Sequence, residues 1–164
     1  MPAFTDGDFA ISDSTAIVTY LDAKYTDNPL IPADAESRAR VVWFDEFADT
    51  ILTAASGAMF FNRIVSPKFV GKPGDDALAS KGETDMGPIC VYLEGLLQDG
   101  GFLVGESLTL ADISVASPFV NAAHAGYIPD AAAYPKLTAY LATMHSRPSF
   151  ADWIRRERKM LGLG

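Results

Sequence analysis

Apolar positions fall at two spacings along this chain, and the change between them divides it. Phe4, Phe9 and Ile11 flank Asp6-Gly7, which reads as two short strands joined by a tight turn, since Asp-Gly tolerates the positive φ such turns require. After Asp13 the spacing becomes helical. A first helix is predicted from about Asp13 to Tyr25, with Ile17, Tyr20 and Leu21 on one face. It ends at Asp27-Asn28-Pro29, because a residue preceding proline is disfavoured in helical conformation. Leu30-Ile31-Pro32 then reads as a linker.

From about Asp34 a long helix presents Val41, Phe44, Phe47 with Ala48, Ile51, Ala55, and Ala58 with Met59, an apolar stripe of the helical period. It is expected to reach Ile64 and to stop at Pro67. Lys68 to Asp75, with Gly71, Pro73 and Gly74, reads as a loop, and Lys72 lacks the flanking residues of a phosphate loop. A further helix carries Met86, Ile89, Cys90, Leu93, Leu96 and Leu97. Pro88 either kinks it or marks its first turn, because an interior proline removes a backbone donor. Gly100, Gly101 and Gly105 have the wrong spacing for a dinucleotide loop, and no strand precedes them. Thr109 and Asp112 form a Thr-x-x-Asp capping box, with Leu108 and Ile113 as the hydrophobic staple across it. Tyr134-Pro135 opens a helix bearing Leu137, Leu141 and Met144, and Arg147-Pro148-Ser149 leads to a last helix containing Trp153 and Ile154. Ser149 and Asp152 are a second candidate cap pair. The elements describe a mainly α chain.

With 164 residues, 49% hydrophobic and 21% charged, the composition is that of an ordered globular protein. Asp and Glu total 21 against 13 Lys and Arg, for a net charge of −8, which repels nucleic-acid backbones and anionic membranes. The basic run Arg155, Arg156, Arg158 and Lys159 falls in the last turns of the terminal helix, where cations complement the helix dipole. No apolar run reaches the roughly 18 residues that span a bilayer, and the first residues are acidic where a signal peptide is basic. A cytoplasmic protein, with neither nucleic-acid nor membrane partners, is expected. Cys90 is the single cysteine, so no internal disulfide forms, and its apolar neighbours mark it as a core residue rather than a nucleophile. His124 and His145 stand in no metal-ligand spacing, and no metal is expected.

Two motifs together resemble the glutathione S-transferase family. In that family a strand opening with X-Pro leads through an Asp-Gly turn into a second strand. An acidic residue and a serine then start a helix reading Ser-x-Ala-Ile-x-x-Tyr-Leu. Met1-Pro2, Asp6-Gly7 and the run Asp13-Ser14-Thr15-Ala16-Ile17-Val18-Thr19-Tyr20-Leu21 match each of these elements. Gly105 to Asp112 is similar to the family's Gly-x-x-x-Thr-x-Ala-Asp element, and Tyr134-Pro135-x-Leu137 and Arg147-Pro148-Ser149 have counterparts there as well. The resemblance implies an all-helical C-terminal domain over residues 34–164, joined by a linker at 29–33 to residues 1–28. Those would be a two-strand-plus-helix remnant of a thioredoxin-like α/β domain. It implies glutathione as co-substrate, with Met1, Pro2, Asp13 and Ser14 as the binding residues. Pro2 would be a cis-proline and Met1 would pair its backbone with the cysteinyl part. Asp13 would hold the ammonium. The Ser14 hydroxyl and the first helical amides would hold the carboxylate, as a helix N-terminus favours. On spacing alone, Asp-Ser ahead of Ala-Ile is also an ordinary helix cap.

The activity implied is conjugation of the glutathione thiolate to a small apolar electrophile held between the domains. The helix with Phe47, Phe60 and Phe61 and the helix after Thr109 would flank it. By spacing alone, these aromatics read as core. The family's thiol-activating residue lies in the opening strand-helix-strand unit, and none of Ser12, Ser14, Tyr20 or Cys90 occupies that motif. No catalytic residue is assigned, and weak or absent turnover is expected, since a thiol of pKa near 8.5 is mostly protonated at neutral pH. The first strand is expected to carry an open edge, covered by another chain or mobile. Met-Pro is a natural internal dipeptide of the family pattern, so the expected origin is a start at an internal methionine or a truncation. The alternative function is a non-catalytic helical docking or dimerisation module. A homodimer, with the first two helices contributing, is implied in either case.

Overall fold

Residues 2–97 and 101–163 are described by the computed structural model. Strands β1 (Ala3–Asp6) and β2 (Phe9–Ser12) pair antiparallel, with Asp6 opposite Phe9 across a turn in which Gly7 takes a φ of 60°. No third strand joins them among the described residues. Helix α1 (Ser14–Lys24) lies against this hairpin through Tyr20, whose ring stacks on Phe9 at 4.7 Å and meets Phe4 at 5.9 Å. The Tyr20 hydroxyl donates to Asp6 Oδ2 at 2.9 Å. Lys24 also pairs with Asp6 and is the main reason that carboxyl lies below its ordinary range. The pair is solvent-exposed and screened, so the aromatic contact carries more of the packing.

The segment after α1 is pinned rather than a free tether. Asp22 accepts the Leu30 and Ile31 amides at 2.5 and 3.3 Å, Leu30 O accepts the Leu110 amide at 2.9 Å, and Ile31 is buried.

Helix α2 (Ala35–Phe47) starts at Asp34, whose carboxylate accepts the Ser37 amide at 2.9 Å. Helical dihedrals continue through a wide-turned segment at Ala48–Leu52, through α3 (Thr53–Phe60), and through a second wide-turned segment at Phe61–Val70. Each wide turn places an extra residue in the helical ladder and so rotates the face that follows. The expected stripe slips accordingly: Ile51 is 47% exposed while Leu52 is fully buried. Pro67 does not end the helix as expected. It sits inside the second wide-turned segment, where the looser turn eases the clash of a proline ring with the carbonyl four residues back. The helix stops instead at Gly71, whose φ of 70° suits a residue without Cβ.

Helix α4 (Asp76–Leu96) is capped by Asp75, which accepts the Ala77 and Leu78 amides, so Pro88 is an interior residue and not its first turn. Helix α5 (Leu110–His124) crosses the core with the expected capping box at its start and an interior Pro118 that is also buried. Helices α6 (Pro135–Ser146) and α7 (Pro148–Leu161) each begin with proline at the first helical position. The Ser149 and Asp152 cap does not form. Arg147 occupies the cap position and Asp152 pairs with Arg155 at 2.6 Å. Fully buried Leu52, Met59, Met86, Leu93, Leu137 and Met144 unite the helices in one core. Cys90 lies in it, 3.4 Å from the Tyr127 hydroxyl, and burial pushes its thiol up in pKa.

Candidate functional site at the start of helix α1

The chain leaves β2 and enters α1 through Asp13, which has φ 85° and ψ 133°. It is the single non-glycine with positive φ among the described residues. Such a conformation stores on the order of 1–3 kcal/mol and concentrates where a side chain must be aimed. The Asp13 amide bonds the Pro2 carbonyl at 3.2 Å, which draws those two residues together. Asp13 Oδ1 accepts the Ala16 amide at 3.1 Å, so the capping geometry is present. Asp13 Oδ2 and the Ser14 hydroxyl make no hydrogen bond among the described residues, and both residues are solvent-exposed. Beside them lie the first amides of the helix, which have no acceptor within it. One turn therefore offers a carboxylate oxygen, a hydroxyl and a cluster of N–H donors. Met1, and with it the Met1–Pro2 bond, lies outside the described residues.

This turn faces a cavity of about 310 Å³ where α1 meets the helical body. Its walls mix polar side chains, Ser14 and Thr15 from α1, Asp45 from α2, Asp49 and Thr53, and Ser114, Ser117 and Asn121 from α5, with the apolar surface of Val18, Leu110, Ile113 and Pro118. An adjoining cavity of about 390 Å³ shares Ile113, Ser117 and Asn121 with it and continues between α5 and α7. There the walls turn apolar, with Leu108, Val120, Phe150, Trp153 and Ile154. Leu108 and Ile113, the expected staple, share this wall.

The aromatics expected to flank an electrophile line neither cavity. Phe47 is buried in the core, Phe61 is exposed, and Phe60 lines a separate cavity with His124. Residues not anticipated from sequence take their place. Asp45 is buried on the apolar face of α2, with Oδ2 accepting from Thr15 Oγ1 and Oδ1 from Ser114 Oγ, both at 2.6 Å. The signal available was one acid inside the stripe, between Phe44 and Phe47.

Partial burial is the main reason the Asp49 carboxyl is raised in pKa, and the negative charges of Asp45, Glu46 and Asp13 add to it. Its ionised form is therefore disfavoured by folding, so it opposes stability above its folded pKa and has no effect below the unfolded value of about 3.9. Asp49→Asn is expected to raise stability at pH 7 by roughly the 0.2–0.5 kcal/mol of a relieved like-charge pair. The gain should vanish below about pH 4, as thermal melts of both proteins across that range will show.

Among the described residues no group of His, Cys, Asp and Glu is placed to hold a metal ion, and no helix is long and apolar enough to cross a membrane.

Comparison with known proteins gives this geometry a context. The glutathione S-transferase C-terminal domain family matches residues 65–157. Glutathione S-transferase theta-3 of Mus musculus is 27% identical over 164 residues, covering 99% of this chain and 62% of that protein. A glutathione S-transferase of Hyoscyamus muticus is 31% identical over 156 residues, covering 93% of this chain and 66% of that protein. Among solved structures, a glutathione S-transferase from Rhodospirillum rubrum F11 superposes with a TM-score of 0.80 at 25% identity, covering 92% of this chain and 68% of the other. Glutathione S-transferase-I bound with the ligand lactoylglutathione does so with a TM-score of 0.81 at 26% identity, covering 93% and 72%. The chain spans 62% of the length of its theta-3 relative. With the all-helical domain matched over more than half of its residues, the chain belongs to the glutathione S-transferase family.

Proposed function

We propose that this chain carries the γ-glutamyl half of a glutathione site and the electrophile cavity of a glutathione S-transferase, which joins the glutathione thiolate to a small apolar electrophile. The observation that carries the reading is the strained Asp13 turn, which leaves Asp13 Oδ2, the Ser14 hydroxyl and the Ser14 and Thr15 amides without a hydrogen bond among the described residues, beside a cavity that Ser14 and Thr15 line. Glutathione's γ-glutamyl end is a zwitterion, and this turn offers one group of each complementary kind. Asp13 Oδ2 meets the ammonium, while Ser14 and the helix N-terminus meet the carboxylate. Pro2 and Met1 would continue the contact along the backbone toward the cysteinyl part. The electrophile's apolar body fits the adjoining cavity between α5 and α7.

Thiol activation needs a directed donor at the sulfur, and none of Ser12, Ser14, Tyr20 or Cys90 occupies the motif that supplies one in the family. Cys90 and Tyr140 are buried in the core, and the Tyr20 hydroxyl is committed to Asp6. The chain alone is accordingly a binder with little turnover. A second copy is proposed to pack on the outer face of α2 and α4, where Trp43 and Val91 are 53% and 61% exposed and Trp43 Nε1 donates to the Tyr92 hydroxyl at 3.0 Å.

Calorimetric titration with glutathione tests the reading. The expected result is binding at millimolar glutathione that is lost in both Asp13→Ala and Ser14→Ala. Conjugation of an activated chloroarene should proceed near the uncatalysed rate. Absence of binding by the parent chain overturns the half-site, and rapid turnover overturns the reading of the chain alone as a binder with little activity. Sedimentation of the same samples should give a dimer, and a monomer across concentrations removes the proposed interface.

A further inference from the structure

We propose that Asp45 is a positioning residue, whose buried carboxylate ties Thr15 of α1 to Ser114 of α5 and so holds the Asp13–Ser14 turn over the junction cavity. The inference rests on the glutathione reading and concerns what places that turn.

Helix α1 is attached weakly by apolar contact. It buries no side chain completely, and Val18 is the one member of it packed against the core as a partly buried residue. Directional bonds must therefore set its position. At its C-terminal end Asp22 holds the Leu30 and Ile31 amides. At its N-terminal end the corresponding tie is Thr15 to Asp45 at 2.6 Å.

Asp45 is 6% exposed and joins no ion pair with a described Lys, Arg or His. A carboxylate in such a place is tolerated where its oxygens are hydrogen-bonded. Each oxygen has one hydroxyl donor, Oδ2 from Thr15 and Oδ1 from Ser114. Both bonds are at the short end of the range for a hydroxyl donating to oxygen. The carboxylate is thus a three-helix junction, with α1 and α5 bonded through α2. Thr15 directly follows Ser14, so a shift of Thr15 moves the whole turn. Placement errors of about 1 Å are known to cost roughly a hundredfold in function.

The test compares the parent chain with Thr15→Val, Asp45→Ala, the double variant, and Thr15→Ser, which keeps the hydroxyl. Glutathione titration and amide hydrogen exchange are read on each. Thr15→Val and Asp45→Ala should each weaken glutathione by about tenfold or more, a difference of about 1.4 kcal/mol. The double variant should be no worse than the weaker single, since both remove one connection. Thr15→Ser should bind like the parent. Exchange should accelerate over residues 13–20 in the first three variants, with α4 and α5 amides unchanged. Parental affinity and exchange in Thr15→Val, or additive losses in the double variant, overturn the proposal. If the parent does not bind glutathione, the function reading fails and the exchange data decide alone. Loosening confined to the hairpin and α1 in Thr15→Val then sustains the positioning role, and no change or uniform loosening overturns it. Should Asp45→Ala fail to fold, Thr15→Val against Thr15→Ser carries the same decision.

Discussion

Asp112→Ala is expected to cost about 3–5 kcal/mol, the range found when one partner of a buried charged network is removed. The side chain has no solvent exposure, and four donors converge on it. Oδ2 accepts the Thr109 amide at 2.9 Å and the Thr109 hydroxyl at 3.0 Å. Oδ1 accepts the Leu103 amide at 2.9 Å and the Tyr140 hydroxyl at 3.2 Å. Alanine strips all four at once and leaves each to bear its own desolvation. A domain of this size is stable by about 5–15 kcal/mol, so the variant should be marginal or unfolded. Tyr140→Phe, which removes a single donor, should cost only about 0.5–1.5 kcal/mol. Burial first, and then the Asp112 charge, push the Tyr140 hydroxyl pKa far above its ordinary value, so it remains a donor well into alkaline solution. Denaturant unfolding measures both losses. A cost under about 1 kcal/mol for Asp112→Ala would show that the network is not the anchor of α5.

The same residue marks how far the sequence could be read. Thr109 and Asp112 form a box across three residues, and local pairs of that kind follow from spacing. Their partner Tyr140 lies 28 residues further on, and no local pattern reports it. The hairpin at Asp6-Gly7, the capped start at Asp13 and the proline-initiated α6 were legible for the same local reason. The wide turns at Ala48–Leu52 and Phe61–Val70 were not, because a shift to a looser ladder is decided by what the helix packs against. Ile51 was therefore assigned to the wrong face. At the candidate site, the sequence offers Asp13 and Ser14 by type and order. The strain at Asp13 and the Thr15–Asp45–Ser114 junction came only with tertiary contact. Near the cavity there, folding disfavours the ionised form of Asp49.

Glycine positions in α4 provide a test in which two effects compete with opposite signs. On helix propensity alone, replacing an interior glycine by alanine should stabilise by up to about 1 kcal/mol. Gly95 should behave so, because a Cβ there meets nothing within 4 Å. Gly82 should not. A Cβ at that position would stand 2.6 Å from the Ala55 carbonyl oxygen, 3.1 Å from Ala58 Cβ and 3.2 Å from Met59 Cγ. The first of these atoms is backbone of the facing helix α3 and cannot rotate away. To relieve it, α3 and α4 must separate, and Met59, fully buried, would lose its packing. Overpacking of this kind costs about 1–3 kcal/mol, occasionally more, which exceeds the propensity gain. Gly82→Ala is therefore expected to lower stability by roughly 1–2 kcal/mol net, while Gly95→Ala raises it. Paired denaturant melts of the two variants decide the matter. A gain in both would mean that α3 and α4 do not approach each other as closely as Gly82 permits, and that the wide turns flanking α3 absorb the added methyl.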